Sequence, residues 1–226
     1  MSERRERLLI ALLVLVAVLR VVSTYRVFSQ TVDEPFHVGS GLEWLTTRHY
    51  DLEPEHPPLA RGLFALGARM QGVKLLDSGD RLAVGNAILY SNEHYSWNLA
   101  LARAGNLPFL IVALVIVAVW TRRLFGGTAA MIAVALLGAL PPIVAHAGLA
   151  TTDMAAAAMT IAALFAFARW LESPTIRRTL LLGAAIGVGL LVKFSCPIYF
   201  AVGAIVFVVV IRRRLRLLPL GASIVI

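Results

Sequence analysis

One cysteine, Cys196, stands in 226 residues. It cannot form an intramolecular disulfide, and near a helix turn it reads as a buried, inert thiol. Acidic residues are also scarce, 13 against 21 lysines and arginines, and charged residues together make only 15% of the chain. The arginines are spread among short loops without interleaved aromatics, which argues against a nucleic-acid partner. No Ser/Gly linker, low-complexity tract or short internal repeat divides the sequence. His37, His49, His56 and His94 accompany Glu53 and Glu55, yet no tight spacing such as His-x-x-x-His appears. No cofactor is expected to be required, with a divalent metal kept as the alternative.

What is abundant is apolar. Hydrophobic residues make 59% of the chain and the mean hydropathy is +0.79, which excludes an ordinary soluble domain. Apolar runs predict an all-α, multipass transmembrane bundle with spans near 8–28, 106–124, 129–148, 154–170, 179–193 and 197–211, and a seventh begun at 217. The first run lacks a small-residue cleavage site and is no signal peptide. The 33 residues from Thr179 to Ile211 would reach roughly 50 Å as one helix, against an apolar core of ~30 Å. A turn at Lys193-Phe194-Ser195-Cys196-Pro197 resolves this. A second turn, His146 to Asp153, divides Thr128–Ala168 in the same way.

Arginine placement tests these turns independently. Clusters at Arg4/Arg5/Arg7, Arg122/Arg123, Arg169/Arg177/Arg178 and Arg212/Arg213/Arg214/Arg216 carry a net +9 with Glu3, Glu6 and Glu172, and the rest of the chain carries −1. Positive-inside orientation puts the N-terminus and all four clusters in the cytoplasm. Residues 29–104 then form one long external loop. It carries two apolar stripes, Phe36/Leu42/Trp44/Leu45 and Leu59/Leu63/Phe64/Leu66/Met70, expected as helices lying in the interface. Pro35 and Pro57 or Pro58 fit their first positions. A third helical stretch is expected over about 80–102, with Tyr95 and Trp97 at headgroup level.

This topology brings Asp33, Glu34, His56, Arg103, Asp153 and Lys193 to one membrane side. Carboxylates at the mouth of a membrane helix are costly unless something uses them. A sugar on a lipid phosphate already has a good leaving group, so the chemistry needs a base for the acceptor hydroxyl and cations for the departing phosphate. A single displacement inverts the anomeric centre, whereas a covalent route needs a carboxylate nucleophile.

Asp33-Glu34 after the first helix, His56-Pro57-Pro58-Leu59 in the loop, Ala102-Arg103 before the second helix and Thr152-Asp153 before the fourth resemble the GT-C glycosyltransferase superfamily. Within it, the chain is most similar to the protein O-mannosyltransferase and aminoarabinose transferase group, which uses polyprenyl-phosphate-linked sugars. The resemblance implies Asp33 as the catalytic base with Glu34 beside it and Asp153 as a second acidic group. It implies Arg103, Lys193 and His56 on the carrier phosphate. Where aminoarabinose transferases have lysine before Pro-Pro-Leu, this chain has His56, as mannosyltransferases do. Implied partners are a polyprenyl-phosphate sugar, membrane lipid, and an acceptor protein, lipid or glycan. The implied location is the plasma (bacterial inner) membrane, with the site facing outward.

Plainer roles compete at each position. Asp33, Glu34 and Asp153 suit helix caps, Lys193 and Arg103 suit interfacial anchors, and His56 suits a backbone hydrogen bond. Arg20 and Arg26 either reach phosphate or snorkel. A transporter or flippase for a lipid-linked substrate and a non-catalytic carrier-binding subunit are the rival functions. Transporters, however, place their charges at midmembrane on broken helices. The apolar run from Leu217 to Ile226 would extend only ~15 Å as a helix, so the 226 residues are expected to be the N-terminal part of such an enzyme.

Overall fold

The computed structural model describes residues 2–217, with side chains through residue 210; the seventh span expected from 217 lies outside the described residues. Eleven α-helices make up the described chain: α1 (Glu3–Thr24), α2 (Asp33–Thr47), α3 (Pro58–Met70), α4 (Arg81–Leu89), α5 (Tyr95–Ala104), α6 (Leu107–Phe125), α7 (Gly127–Ala139), α8 (Pro141–Ala147), α9 (Thr152–Glu172), α10 (Ile176–Val192) and α11 (Cys196–Leu217). Among the described residues, three helical stretches are long and apolar enough to cross a membrane: α1, the α5–α6 run and α9. The bent pair α7–α8 makes a fourth. The apolar part of α11, Cys196–Val210, is shorter. The protein is an all-helical, multipass membrane protein.

The expected span at 129–148 is not one helix. α7 and α8 meet at Leu140 with a bend of 63°. Pro141 and Pro142 supply no N–H, so the Leu137 and Gly138 carbonyls lose their helical donors. The Leu140 amide turns to Leu137 (3.3 Å), and Arg20 Nη1 of α1 donates to the Gly138 carbonyl at 3.3 Å. Arg20 therefore mends a broken helix. α6 and α7 are joined through Gly126 alone, whose φ of +86° suits a residue without a Cβ.

The segment between α1 and α6 also departs from expectation. α2 is not an isolated amphipathic helix with one free face. It is buried between α3 and α4, with Gly39, Ser40, Gly41 and Leu42 all out of contact with solvent. A Cβ on Gly41 would overlap the Arg61 carbonyl of α3, and one on Gly85 of α4 would overlap the Pro35 carbonyl of α2. Backbone contact of this kind locks the three helices together. Pro58 opens α3 as expected, whereas Pro35 falls at the third position of α2. The stretch expected at 80–102 is interrupted. α4 ends at Leu89, a single 3-10 turn covers Ser91–Glu93, and α5 begins at Tyr95. α5 then runs almost without a break into α6, giving 31 helical residues, about 46 Å long and more than the apolar core requires.

The two ends of the bundle differ in character. At one end Arg122 reaches Glu3 (3.1 Å) and Glu6 (3.4 Å), tying α6 to α1, and Arg123 reaches Glu172 (2.8 Å), tying α6 to α9. At the other end, α2–α5 and the connections α8–α9 and α10–α11 come together.

Candidate active site

Two adjacent carboxylates open α2, and the fold separates them. Glu34 has no exposed surface. Its Oε1 accepts from Arg103 Nε (2.8 Å) and the Ala150 amide (2.9 Å), and its Oε2 accepts from Arg103 Nη2 (2.9 Å) and the Thr31 amide (2.8 Å). Arg103, 1% exposed, gives its remaining N–H groups to the carbonyls of Tyr25, Phe28 and Ser29 at 2.8–3.0 Å. All five guanidinium donors are thereby used. In this arrangement the pair is engaged within the fold. Arg103 has no N–H left for carrier phosphate, and Glu34 has no lone pair left for a reacting proton. Together they clasp the end of α1, the start of α2, α5 and the turn before α9. Asn106 reinforces the clasp by donating from Nδ2 to the carbonyls of His146 (3.2 Å), Leu149 (2.7 Å) and Thr151 (3.0 Å).

That pinned turn positions Asp153 in the first turn of α9. Asp153 makes no helix cap. Its carboxylate accepts from Lys193 Nζ at 2.6 Å and lies 3.5 Å from His146 Nδ1. Lys193 caps α10 in an extended conformation, which aims its side chain across to α9. The pair borders a cleft of about 320 Å³ that runs between α9 and α11 past Ala156, Ala157, Thr160 and Tyr199. Half-buried and open on one side, this pair leaves two Nζ donors for a ligand.

A second cluster, of which the sequence offered His56 for phosphate and His37 and Glu53 only as metal-ligand candidates, faces the first. Arg61 of α3 is fully buried. Its Nε donates to His37 Nδ1 (3.0 Å), its Nη1 donates to the Tyr50 hydroxyl and the Glu53 carbonyl (both 2.9 Å), and its Nη2 pairs with the Glu53 carboxylate. Glu53 also holds His56 Nδ1 at 3.0 Å. Burial, then the Arg61 charge, pushes the His37 imidazole down to about 3, so it is neutral, with its proton on Nε2. Burial alone would raise the Glu53 carboxyl, but the His56 hydrogen bond and the Arg61 charge hold it at about 2. The His37 and His56 rings meet edge to face at 5.5 Å, and Asp153 lies within electrostatic reach of His37. His56 thus turns Nδ1 to Glu53 and keeps Nε2 for another partner. Ligand atoms of Glu53, Glu55 and His56 lie within 4.8 Å of one another, the metal-type grouping that sequence spacing did not reveal. A cation there would compete with Arg61 and with the His56 proton for Glu53.

Asp33 is exposed at the first position of α2 and, among the described residues, has no hydrogen-bond or ion-pair partner. It stands four residues before His37, on the same face of α2. Arg26 lies over the Trp97 ring at 5.3 Å. Cys196 is buried.

Sequence reading considered His37 and Glu53 only as metal ligands and missed Arg61, though Arg61 carried a signal: a charge beside Ala60, Phe64 and Ala65 on one helix face.

Among the described residues, Lys193 Nζ and His56 Nε2 keep donors open to a ligand, and Asp33 is an exposed carboxylate. Residues 100–225 match the family model described as dolichyl-phosphate-mannose-protein mannosyltransferase. No curated protein and no solved structure matches the chain. The matched region includes Arg103, Asn106, Asp153 and Lys193, residues that build one wall of the site and its supporting clasp. The chain belongs to the dolichyl-phosphate-mannose-protein mannosyltransferase family of GT-C membrane glycosyltransferases.

Proposed function

We propose that the protein transfers a sugar from a polyprenyl-phosphate donor to an acceptor hydroxyl on the outer membrane face, with inversion. The observation that carries this reading is the pairing of Lys193 and Asp153 at the mouth of a cleft between α9 and α11, facing the His37–Glu53–His56 cluster. Lys193 and His56 hold the carrier phosphate, Lys193 as a point charge and His56 through Nε2. Asp153 sets the Lys193 ammonium in place. Asp33, without a partner among the described residues, takes the proton from the acceptor hydroxyl as its oxygen attacks the anomeric carbon. The bond from that carbon to the phosphate oxygen breaks, and the electron pair leaves with the phosphate beside Lys193. No metal is needed in this scheme, because the cations are side chains.

Two supports are independent of the family. The charges sit at helix ends and in a structured segment, as interfacial chemistry on a lipid carrier requires. The arginine clusters of α1, α6, α9 and α10 gather at the opposite end, which favours an outward-facing site by the positive-inside rule. The test is direct: protein in nanodiscs receives a panel of polyprenyl-phosphate sugars with hydroxyl acceptors, and mass spectrometry follows free polyprenyl phosphate and acceptor mass. Acceptor gain matched by carrier release is the expected outcome. Carrier binding with neither product would reduce the protein to a carrier-binding subunit.

A further inference from the structure

At the arginine-rich end, far from the proposed site, α6, α9 and α10 enclose a cavity of about 670 Å³. Ile116, Phe165 and Leu181 form apolar walls, and Arg169, Arg177 and Arg178 stand at its mouth. The mouth carries excess positive charge. Glu172 is its one carboxylate among the described residues, and it is shared by Arg169, Arg123 (2.8 Å) and Arg178 (4.0 Å). Among the described residues Arg178 uses only Nη1, on the Arg169 carbonyl (2.7 Å) and on Ser173, which leaves Nε and Nη2 without acceptors there. Arg177 is exposed and has no partner among the described residues. A pocket with hydrocarbon walls, open at the level where helices leave the membrane and rimmed by unfilled guanidinium donors, matches one chemistry: an acyl chain bearing an anionic phosphate headgroup.

We infer that this cavity binds an anionic phospholipid of the leaflet on the arginine-rich side, with its acyl chain between α6 and α10 and its phosphate on Arg177 and Arg178. The inference does not depend on the sugar-transfer reading, since it uses none of the residues of that site. A neutral zwitterionic lipid fits the walls equally well but gains less from the rim, because its own ammonium offsets the phosphate.

The experiment is native mass spectrometry of the purified full chain titrated with phosphatidylglycerol or phosphatidylcholine of identical acyl chains. Phosphatidylglycerol should be retained preferentially. Arg177→Gln should lower its apparent affinity about fivefold, and Arg177→Gln with Arg178→Gln by roughly 30-fold, on the scale of one basic residue at a membrane surface. Arg4→Gln, which removes the same charge from α1 outside the cavity, should leave retention unchanged. Equal loss in Arg4→Gln would replace the pocket by diffuse surface attraction and overturn the inference. So would equal retention of the two lipids. Inorganic phosphate at millimolar concentration should not displace the lipid; displacement would make this a soluble-anion site instead. Because Arg177 is exposed and makes no hydrogen bond or ion pair among the described residues, its variant tests binding with little effect on folding.

Discussion

Asp33 and Glu34 are neighbours in sequence and opposites in environment: Asp33 is exposed and unpaired among the described residues, whereas Glu34 is fully buried with both oxygens saturated by Arg103, Thr31 and Ala150. The two carboxylates therefore do different work, and their substitutions should read out differently.

Asp33→Asn removes a proton acceptor without disturbing a contact. Sugar transfer should fall by about 10²–10⁴, the usual share of a general base. The unfolding temperature and carrier binding should hold. Retained turnover in steady-state assays would return Asp33 to a merely favourable charge at the start of α2.

Arg103→Met leaves Glu34 buried without its counter-ion, a loss on the order of 3–5 kcal/mol in stability. The protein should lose its sharp gel-filtration peak or melt well below the parent, and adding Glu34→Gln should restore part of the loss. A stable Arg103→Met protein that fails only to bind carrier would reinstate Arg103 as a phosphate ligand.

Lys193→Met keeps the stem and removes the ammonium. Affinity for polyprenyl phosphate should weaken by about tenfold or more, as for loss of a charge-assisted hydrogen bond. Unchanged binding by titration in nanodiscs would make Lys193 an interfacial anchor that happens to meet Asp153.

Acid should destabilise the loop cluster. Burial and Arg61 lower His37 from 6.5 to about 3, so between those values the unfolded chain takes up a proton that the folded chain refuses. Its contribution is present above pH 6.5 and lost as pH falls. Glu53, lowered from 4.5 to about 2, loses its contribution over a lower window in the same direction. Stability should therefore decline as pH drops from 6.5 to 4.5, with a slope of up to ~1.4 kcal/mol per pH unit for one proton. His37→Gln should flatten that slope. Thermal melts that rise or stay level on acidification would contradict this account.

Orientation is tested by labelling. In a Cys196→Ala background, Gly79→Cys and Asn92→Cys should react with an impermeant maleimide in intact cells. Reaction only after permeabilisation would put Asp33 on the wrong side for the proposed chemistry.

The apolar runs and the positive charges were legible because each acts alone: a helix break between Val192 and Cys196 follows from length and Pro197. Pairings over long sequence separations were not. Nothing in the sequence near Glu34 announces Arg103, 69 residues away, or the Ala150 amide, 116 away. The same limit hid the bond from Arg61 to His37, which ties α3 to the buried face of α2. Two misses were readable in principle. Pro141-Pro142 inside an apolar run is a helix break by its missing amides alone, and Gly39, Gly41 and Gly85 allow the close approach of helix backbones.

The bend at Leu140 has an evolutionary corollary. Arg20 occupies a membrane helix at a cost, and the Gly138 carbonyl it serves is stranded only because Pro142 brings no N–H. Losing Arg20 alone orphans the buried Gly138 carbonyl, and losing the prolines alone gives that carbonyl back its helical donor and leaves Arg20 without its acceptor. Positions 20 and 142 form an epistatic pair. Across homologous chains they should be exchanged together, and a neutral drift through either single change should be blocked.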